Sequence, residues 1–271
     1  MKIEKIGFDN SANKLFKIID SGDHMYNKSD FIIIEKLLLT DTEEDKAGFK
    51  VFTYKDSLRF EILSFNSPCS QMIEWFIYKI KRCINDNKKS STLLWYSQIN
   101  GFSNILIERF DNCFNPYHFY RFRIEKDDIN SNVDMKGLIA RKCTEDMIDA
   151  CIDVMEDLFT PFPDTPGSFR NDKQRITSDF LYERGGTTLF FKDSELIGFC
   201  GHKDGHITET CVRKEFQGKG YGEVIVRSVL KLIYESGCDA EITTGHYNQR
   251  AAALYQKVGF KKVYESIRVN L

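Results

Sequence analysis

A chain of 271 residues has room for one large or two ordinary domains, and an apolar fraction of 42% is ample for their cores. A net charge of −2 gives no overall pull towards nucleic acid or an anionic membrane. The N-terminus, MKIEKIGFDN, has no apolar leader core, and no run approaches the length of a membrane span. The eight cysteines form no C-x-x-C pair and no metal-ligand spacing with the five histidines. The expectation is a cytoplasmic protein with reduced, mostly buried thiols and no metal.

The first half reads as one unit. Leu15–Ile19 begins a helix, and the apolar run Phe31–Leu39 fits either a buried strand or a helix. Phe49–Tyr54 and Leu58–Phe65 are paired strands rich in aromatic and branched residues. Cys69–Ile84 is an amphipathic helix with Met72, Ile73, Phe76, Ile77 and Ile80 on one side. Thr92–Tyr96 reads as a strand, Ser103–Phe110 as a short helix and Tyr117–Ile124 as an alternating strand. The polar segment 125–132 is the expected linker, so the domains expected are 1–130 and 135–271.

In the second half, Leu138–Lys142 is the first strand, and Thr144 is placed as the cap of a helix running to Phe159. Three of the five prolines stiffen the loop 160–167. Asn171–Arg184 is a second helix, and Thr188–Lys192 pairs with Leu196–His202 around Asp193-Ser194-Glu195. Strand 205–212 then enters Gln217-Gly218-Lys219-Gly220-Tyr221-Gly222, followed by helix Glu223–Glu235, strand Asp239–Thr244 and a short helix, Ala251–Lys257. The order strand–helix–strand–helix–strand over 207–269 repeats that of 58–124, which suggests two copies of one α/β unit. The equivalent junction in the first copy, Phe65-Asn66-Ser67-Pro68-Cys69-Ser70, has no glycine, and Pro68 lacks an N–H, so that half is read as non-catalytic.

Glycines at alternate positions between a strand and a helix bring bare backbone amides to the positive end of the helix dipole, which is an anion site. Neither G-x-x-x-x-G-K-[ST] nor G-x-G-x-x-G is present, since Glu223 stands where the last glycine of the second would fall. Val212–Gly222, with Gln217-x-x-Gly220-x-Gly222, resembles the pyrophosphate loop of the GNAT superfamily of N-acetyltransferases. Asn248-x-x-Ala251-x-x-Leu254-Tyr255-x-x-x-Gly259-Phe260 is similar to that family's next signature. The resemblance covers the chain from about Met135 onward. It implies a GNAT-like α/β fold with a mixed, mostly antiparallel sheet flanked by helices, in tandem with a degenerate N-terminal copy.

The resemblance also implies acetyl-CoA as co-substrate, an amine acceptor, and direct attack in a ternary complex. Thr210, Cys211 and Val212 would bond the pantetheine arm through their backbone. Gln217, Gly218, Lys219, Gly220, Tyr221 and Gly222 would hold the diphosphate, and Asn248 would meet the other side of the arm. Tyr255 would donate a proton or a hydrogen bond to the departing thiolate. Glu209 is the carboxylate the family would use as base, with His202, His206 and His246 as alternatives of suitable pKa. Two other readings stay open: a CoA-binding scaffold or regulator without catalysis, and a longer-chain acyltransferase. The oligomeric state is not legible in the sequence.

Overall fold

The computed structural model describes residues 2–5, 31–40, 46–54, 57–64, 70–87, 91–97, 117–130, 132–160, 162, 168–183 and 186–270. The expected helices at Leu15–Ile19 and Ser103–Phe110 lie outside these residues, as does most of the proline loop. The chain forms two compact units. Unit 1 is Met1–Tyr120 with Val263–Leu271, and unit 2 is Arg121–Lys262. Compactness therefore does not follow chain order. The first unit ends at Tyr120 and takes up the chain's last residues from Val263, while the expected linker belongs to the second.

In unit 1 the strands are β1 (Lys2–Lys5), β2 (Phe31–Thr40), β3 (Lys46–Tyr54), β4 (Ser57–Ser64) and β5 (Ser91–Ser97), with helix α1 (Ser70–Asn87) between the last two. Successive strands from β1 to β4 pair antiparallel, and β5 lies parallel to β4 after the helical crossover. The strand at the chain's end, β12 (Lys261–Asn270), pairs antiparallel with β5 from Glu265↔Ser97 to Asn270↔Thr92. Alternation puts Leu37, Leu39, Phe49, Val51, Phe60, Ile62 and Trp95 on the face that packs against Met72, Ile73, Phe76 and Ile80 of α1. Phe76 meets Phe49 and Trp95 at ring-centroid distances of 5.6 and 5.1 Å. The Phe31–Leu39 run is thus a strand. From Glu35 on its residues alternate between this core and the opposite face, where Lys36 is nevertheless buried, and the register against β3 shifts between Ile33 and Glu35.

In unit 2 the sheet order is β6 (Tyr117–Ile124, from Arg121 on), β11 (Ala240–Gly245), β10 (His206–Val212), β9 (Glu195–Lys203), β8 (Thr187–Lys192) and β7 (Ile139–Lys142). Helix α2 (Ile148–Phe159) follows a short 3-10 turn at Glu145–Met147. The Thr144 side chain makes no cap hydrogen bond. Its carbonyl instead accepts from Met147 N at 3.0 Å, so the expected N-cap is a backbone turn. The expected helix Asn171–Arg184 is realised in three pitches: a 3-10 turn at Phe169–Asp172, α3 (Lys173–Ser178) and a wider turn at Asp179–Glu183.

Helix α4 (Tyr221–Glu235) buries Val224, Ile225, Val226, Val229, Leu230 and Ile233, and α5 (Gln249–Val258) follows β11. A second core gathers Cys151, Ile152 and Met155 of α2 with Phe180, Leu189, Phe199 and Cys211. The segment expected to be a weakly structured linker is tied down. Lys126 N donates to Asp239 Oδ1 at 2.8 Å, the Arg123 guanidinium donates to Asp239 Oδ2 at 2.5 Å, and Ile129 is buried. One carboxylate at the start of β11 thereby organises a stretch whose composition alone reads as loop. Each unit thus holds a mixed, mostly antiparallel sheet with helical crossovers, and the two together are α/β.

Candidate functional site

The site of unit 2 begins with the way β10 leaves its neighbours. Against β9 its register runs Ile207↔His202 and then Thr210↔Cys200, so one extra residue is accommodated at Thr208–Glu209. Such a bulge bends the strand that carries it. Against the parallel strand β11 the pairing consists of His206↔Glu241 and Ile207↔Ile242, and it stops where the bulge begins. From there to Val212 the two strands diverge. In unit 1 the equivalent pair, β4 and β5, stays in register from Leu58↔Ser91 to Ser64↔Ser97, so no gap opens there.

The gap in unit 2 widens into a groove of about 430 Å³. Thr210 and Val212 form one wall, Gly218, Gly220 and Gly222 the floor of the loop, and Asn248, Leu254 and Tyr255 the opposite wall. Gly220 caps α4 with φ +82°, a left-handed conformation that disfavours a side chain. A Cβ on residue 222 would lie 3.2 Å from Leu254 Cδ2 and 3.7 Å from Val212 Cγ2, so glycine there keeps the groove open. The amides of Gly218 through Glu223 donate to no acceptor among the described residues, the first intrahelical bond being Val224 N to Gly220 O. An anion placed over them meets a run of open donors and the helix dipole together.

Charge around the loop is arranged to suit such an anion. Glu223, in the first turn of α4, would oppose it. Its carboxylate is held by Lys257 at 2.7 Å and Arg227 at 3.1 Å, and the Lys257 hydrogen bond, with help from Arg227, keeps it ionised below the usual carboxylate range. Arg250, which sequence reasoning missed, lines the groove and donates to Gln217 Oε1 at 2.6 Å. Gln217 Nε2 in turn donates to the Val212 carbonyl at 2.9 Å, so this side chain braces the end of β10 against α5. Asn248 caps α5, accepting from Ala251 N at 3.1 Å, while also lining the groove.

The remaining expected residues divide. Tyr255 is buried between Phe122 and Phe260, with ring-centroid distances of 6.0 and 6.1 Å, and its phenol hydrogen-bonds the Thr210 side chain. Burial, reinforced by the neighbouring Cys200 and Cys211 thiols, pushes the phenol well above its ordinary pKa. Cys211 is fully buried in the core, its thiol raised by desolvation, and it is not among the residues lining the groove. The Tyr221 side chain turns inward, where Lys192 Nζ donates to its hydroxyl at 3.0 Å, and the Lys219 ammonium lies over the Phe216 ring, 5.2 Å from its centroid. For both, only the backbone belongs to the loop.

Glu209 sits on the bulge. Its Oε2 comes within 3.5 Å, and Thr208 Oγ1 within 2.5 Å, of where a Cβ on Gly201 would be, so strict alternation along the strand fails at this point. Neither Glu209 nor His202, His206 or His246 is among the residues lining the groove. Burial lowers the His202 imidazole, an effect that Asp204 partly offsets.

One end of the groove is apolar, formed by Leu158 and Phe159 of α2 and by Phe162, whose ring lies 5.0 Å from that of Tyr247. Glu156 holds both ends of the proline loop: its carboxylate accepts from Ser168 Oγ at 2.5 Å and its backbone carbonyl from Thr160 Oγ1 at 2.5 Å. Among the described residues no cluster of His, Cys, Asp or Glu could hold a metal ion, and no helix is long and apolar enough to cross a membrane. None of the described cysteines forms a disulfide.

Comparison with known proteins agrees with this architecture. The sequence model of the family described as FR47-like protein matches residues 190–269, the stretch holding the bulged strand, the glycine loop and both signatures. Among solved structures, a tandem GNAT protein from the clavulanic acid biosynthesis pathway is 9% identical, covers 100% of this chain and 98% of its own, and superposes with a TM-score of 0.56. A GCN5-related N-acetyltransferase from Sphaerobacter thermophilus is 15% identical over 87% of this chain and 80% of its own, with a TM-score of 0.54. One from Kribbella flavida is 11% identical over 82% and 86%, with a TM-score of 0.52. A search of curated proteins returned no match. At these identities the likeness is one of fold, and with the tandem GNAT protein it extends over the whole chain.

Proposed function

We propose that unit 2 is a cytoplasmic acetyl-CoA-dependent N-acetyltransferase that moves the acetyl group to a primary amine by direct attack in a ternary complex. The observation that carries this reading is the coincidence of two features: the open amides of Gly218–Glu223 and the gap that β10 opens at its bulge. The diphosphate would rest on the amides, and the pantetheine arm would lie along Thr210–Val212, opposite Asn248. The thioester would then come to rest near the Tyr255 phenol.

In the reaction the amine nitrogen bonds to the thioester carbon, the adduct collapses, and the C–S bond breaks to leave a thiolate. A cysteine-like thiol has a pKa of about 8.5, below that of the raised phenol, which favours hydrogen-bond donation over full proton transfer. Tyr255 therefore acts as a hydrogen-bond donor to the developing thiolate, which takes its proton from solvent. Glu209, on the bulge beside Thr210, is proposed to accept the ammonium proton through water. Unit 1, whose β4 and β5 stay paired, is proposed to be a non-catalytic degenerate copy.

The second reading, a CoA-binding protein without turnover, is favoured by one observation: no proposed base lines the groove. Acetyl-CoA offered with a panel of primary amines decides between them. Release of free thiol dependent on amine supports the transferase, and calorimetric binding of CoA without amine-dependent thiol release supports the alternative.

A further inference from the structure

We infer that Lys136 is a further cofactor-binding residue, whose ammonium contacts the diphosphate held over the amides of Gly218–Glu223. The inference rests on the acyl-CoA reading of the groove and adds to it a cation from outside the glycine loop. Lys136 belongs to a tight turn ahead of β7. Asp134 Oδ1 accepts from Lys136 N at 3.0 Å, Leu138 N donates to Met135 O at 2.8 Å, and residues 136 and 137 both take positive φ. The turn packs on α4 through Met135, whose Sδ lies 3.2 Å from Ser228 Oγ, a hydroxyl that donates to the Val224 carbonyl at 2.7 Å. These contacts carry the Lys136 ammonium across the bare backbone of the loop, to 2.7 Å from where a Cβ on Gly220 would be.

The charges around it give the placement its meaning. Lys214 is paired with Asp157, and Lys257 and Arg227 with Glu223. Lys136 has no carboxylate partner among the described residues. Lys136 is exposed, so its ammonium beside the first turn of the helix, facing the positive end of the dipole, is in a mildly unfavourable arrangement when nothing negative lies between them. A diphosphate over the open amides reverses the sign of that interaction. The class of ligand this fits is the polyphosphate portion of a nucleotide-linked thioester. Glycine at 220 then has a second role besides its left-handed φ: it leaves room for the ammonium.

Calorimetric titration of CoA and of 3′-dephospho-CoA into wild-type protein, Lys136→Gln and Lys136→Arg tests the assignment. A charge about 4 Å from a phosphate in a water-like dielectric contributes about five-fold in affinity. Lys136→Gln is expected to weaken both ligands by about that factor or more and to flatten the salt dependence of binding, with Lys136→Arg restoring most of both. Unchanged melting temperatures show that the variants are folded. Equal affinities for wild type and Lys136→Gln, or a loss confined to CoA and absent for its dephospho form, would overturn the assignment to the diphosphate. Wild-type protein that binds neither ligand would instead overturn the acyl-CoA reading on which the inference rests.

Discussion

Replacing Tyr255 by Phe separates chemistry from packing at one atom. The ring contacts with Phe122 and Phe260 survive the change, and so does burial of the ring. What is lost is the hydroxyl and its hydrogen bond with Thr210, whose own Oγ1 retains Cys200 Sγ at 3.5 Å as a partner. A neutral hydrogen bond of this kind contributes about 1 kcal/mol net, so the variant is expected to stay folded with a stability loss of that order or less. In the proposed reaction the same hydroxyl would face a developing thiolate, and a hydrogen bond to a charged group contributes about 1.5–3 kcal/mol. At about 1.4 kcal/mol per factor of ten, turnover should fall between about ten- and 150-fold. Affinity for CoA should change little, because the diphosphate amides lie elsewhere. The assay is amine-dependent thiol release from acetyl-CoA at saturating donor, with CoA affinity by calorimetry and melting temperature as controls. A variant that turns over at the wild-type rate would refute the role given to the phenol, and one that loses CoA affinity in proportion to rate would move Tyr255 from chemistry to binding.

Other outcomes follow from the same geometry. Gly222→Val places methyl groups in the space between Leu254 and Val212, so CoA affinity should fall by at least ten-fold in calorimetry, with an overpacking cost of about 1–3 kcal/mol in denaturant unfolding. Asp239→Ala removes the acceptor of both Lys126 N and the Arg123 guanidinium and should destabilise unit 2 by about 1–3 kcal/mol, read as a lower urea midpoint. His202 has its folded pKa pushed below the unfolded value of about 6.5 by burial. On acidification the unfolded chain therefore binds the proton first, and stability contributed by the neutral imidazole is lost as pH falls through that unfolded value. Urea midpoints at pH 7.5 and 5.5 should differ less in His202→Asn than in wild type.

Much of this was legible because local chemistry decided it. The glycine cluster, the Asn248 cap and the apolar face of α4 are encoded within a few residues of where they act. So is the repeat of strand, helix and strand in the two halves. The exchange of last strands was not legible. Tyr117–Ile124 and Lys261–Asn270 are both strands long enough to finish either sheet, and nothing local says that the former joins β11 while the latter joins β5. Lys136 and Arg250 were missed for a related reason. A basic residue in a turn or on a short helix carries no pattern, and its part in the site comes from where tertiary packing takes it.

The bulge is the instructive omission. Alternation over Ile207–Val212 looks unbroken in sequence, yet one residue is added against β9 between Ile207 and Thr210. That local irregularity coincides with the last pair that β10 makes with β11, and the open amides at the head of α4 lie just beyond it. Unit 1 repeats the order of elements, but its equivalent strand, β4, carries no bulge and keeps its parallel pair closed. The element order therefore builds the scaffold in both halves, and the extra residue converts one of them into a groove. Opening a parallel pair leaves backbone donors and acceptors without partners, which is costly unless something else satisfies them. An extended arm rich in amide groups, entering the gap beside Thr210 and Val212, is the kind of ligand that would do so.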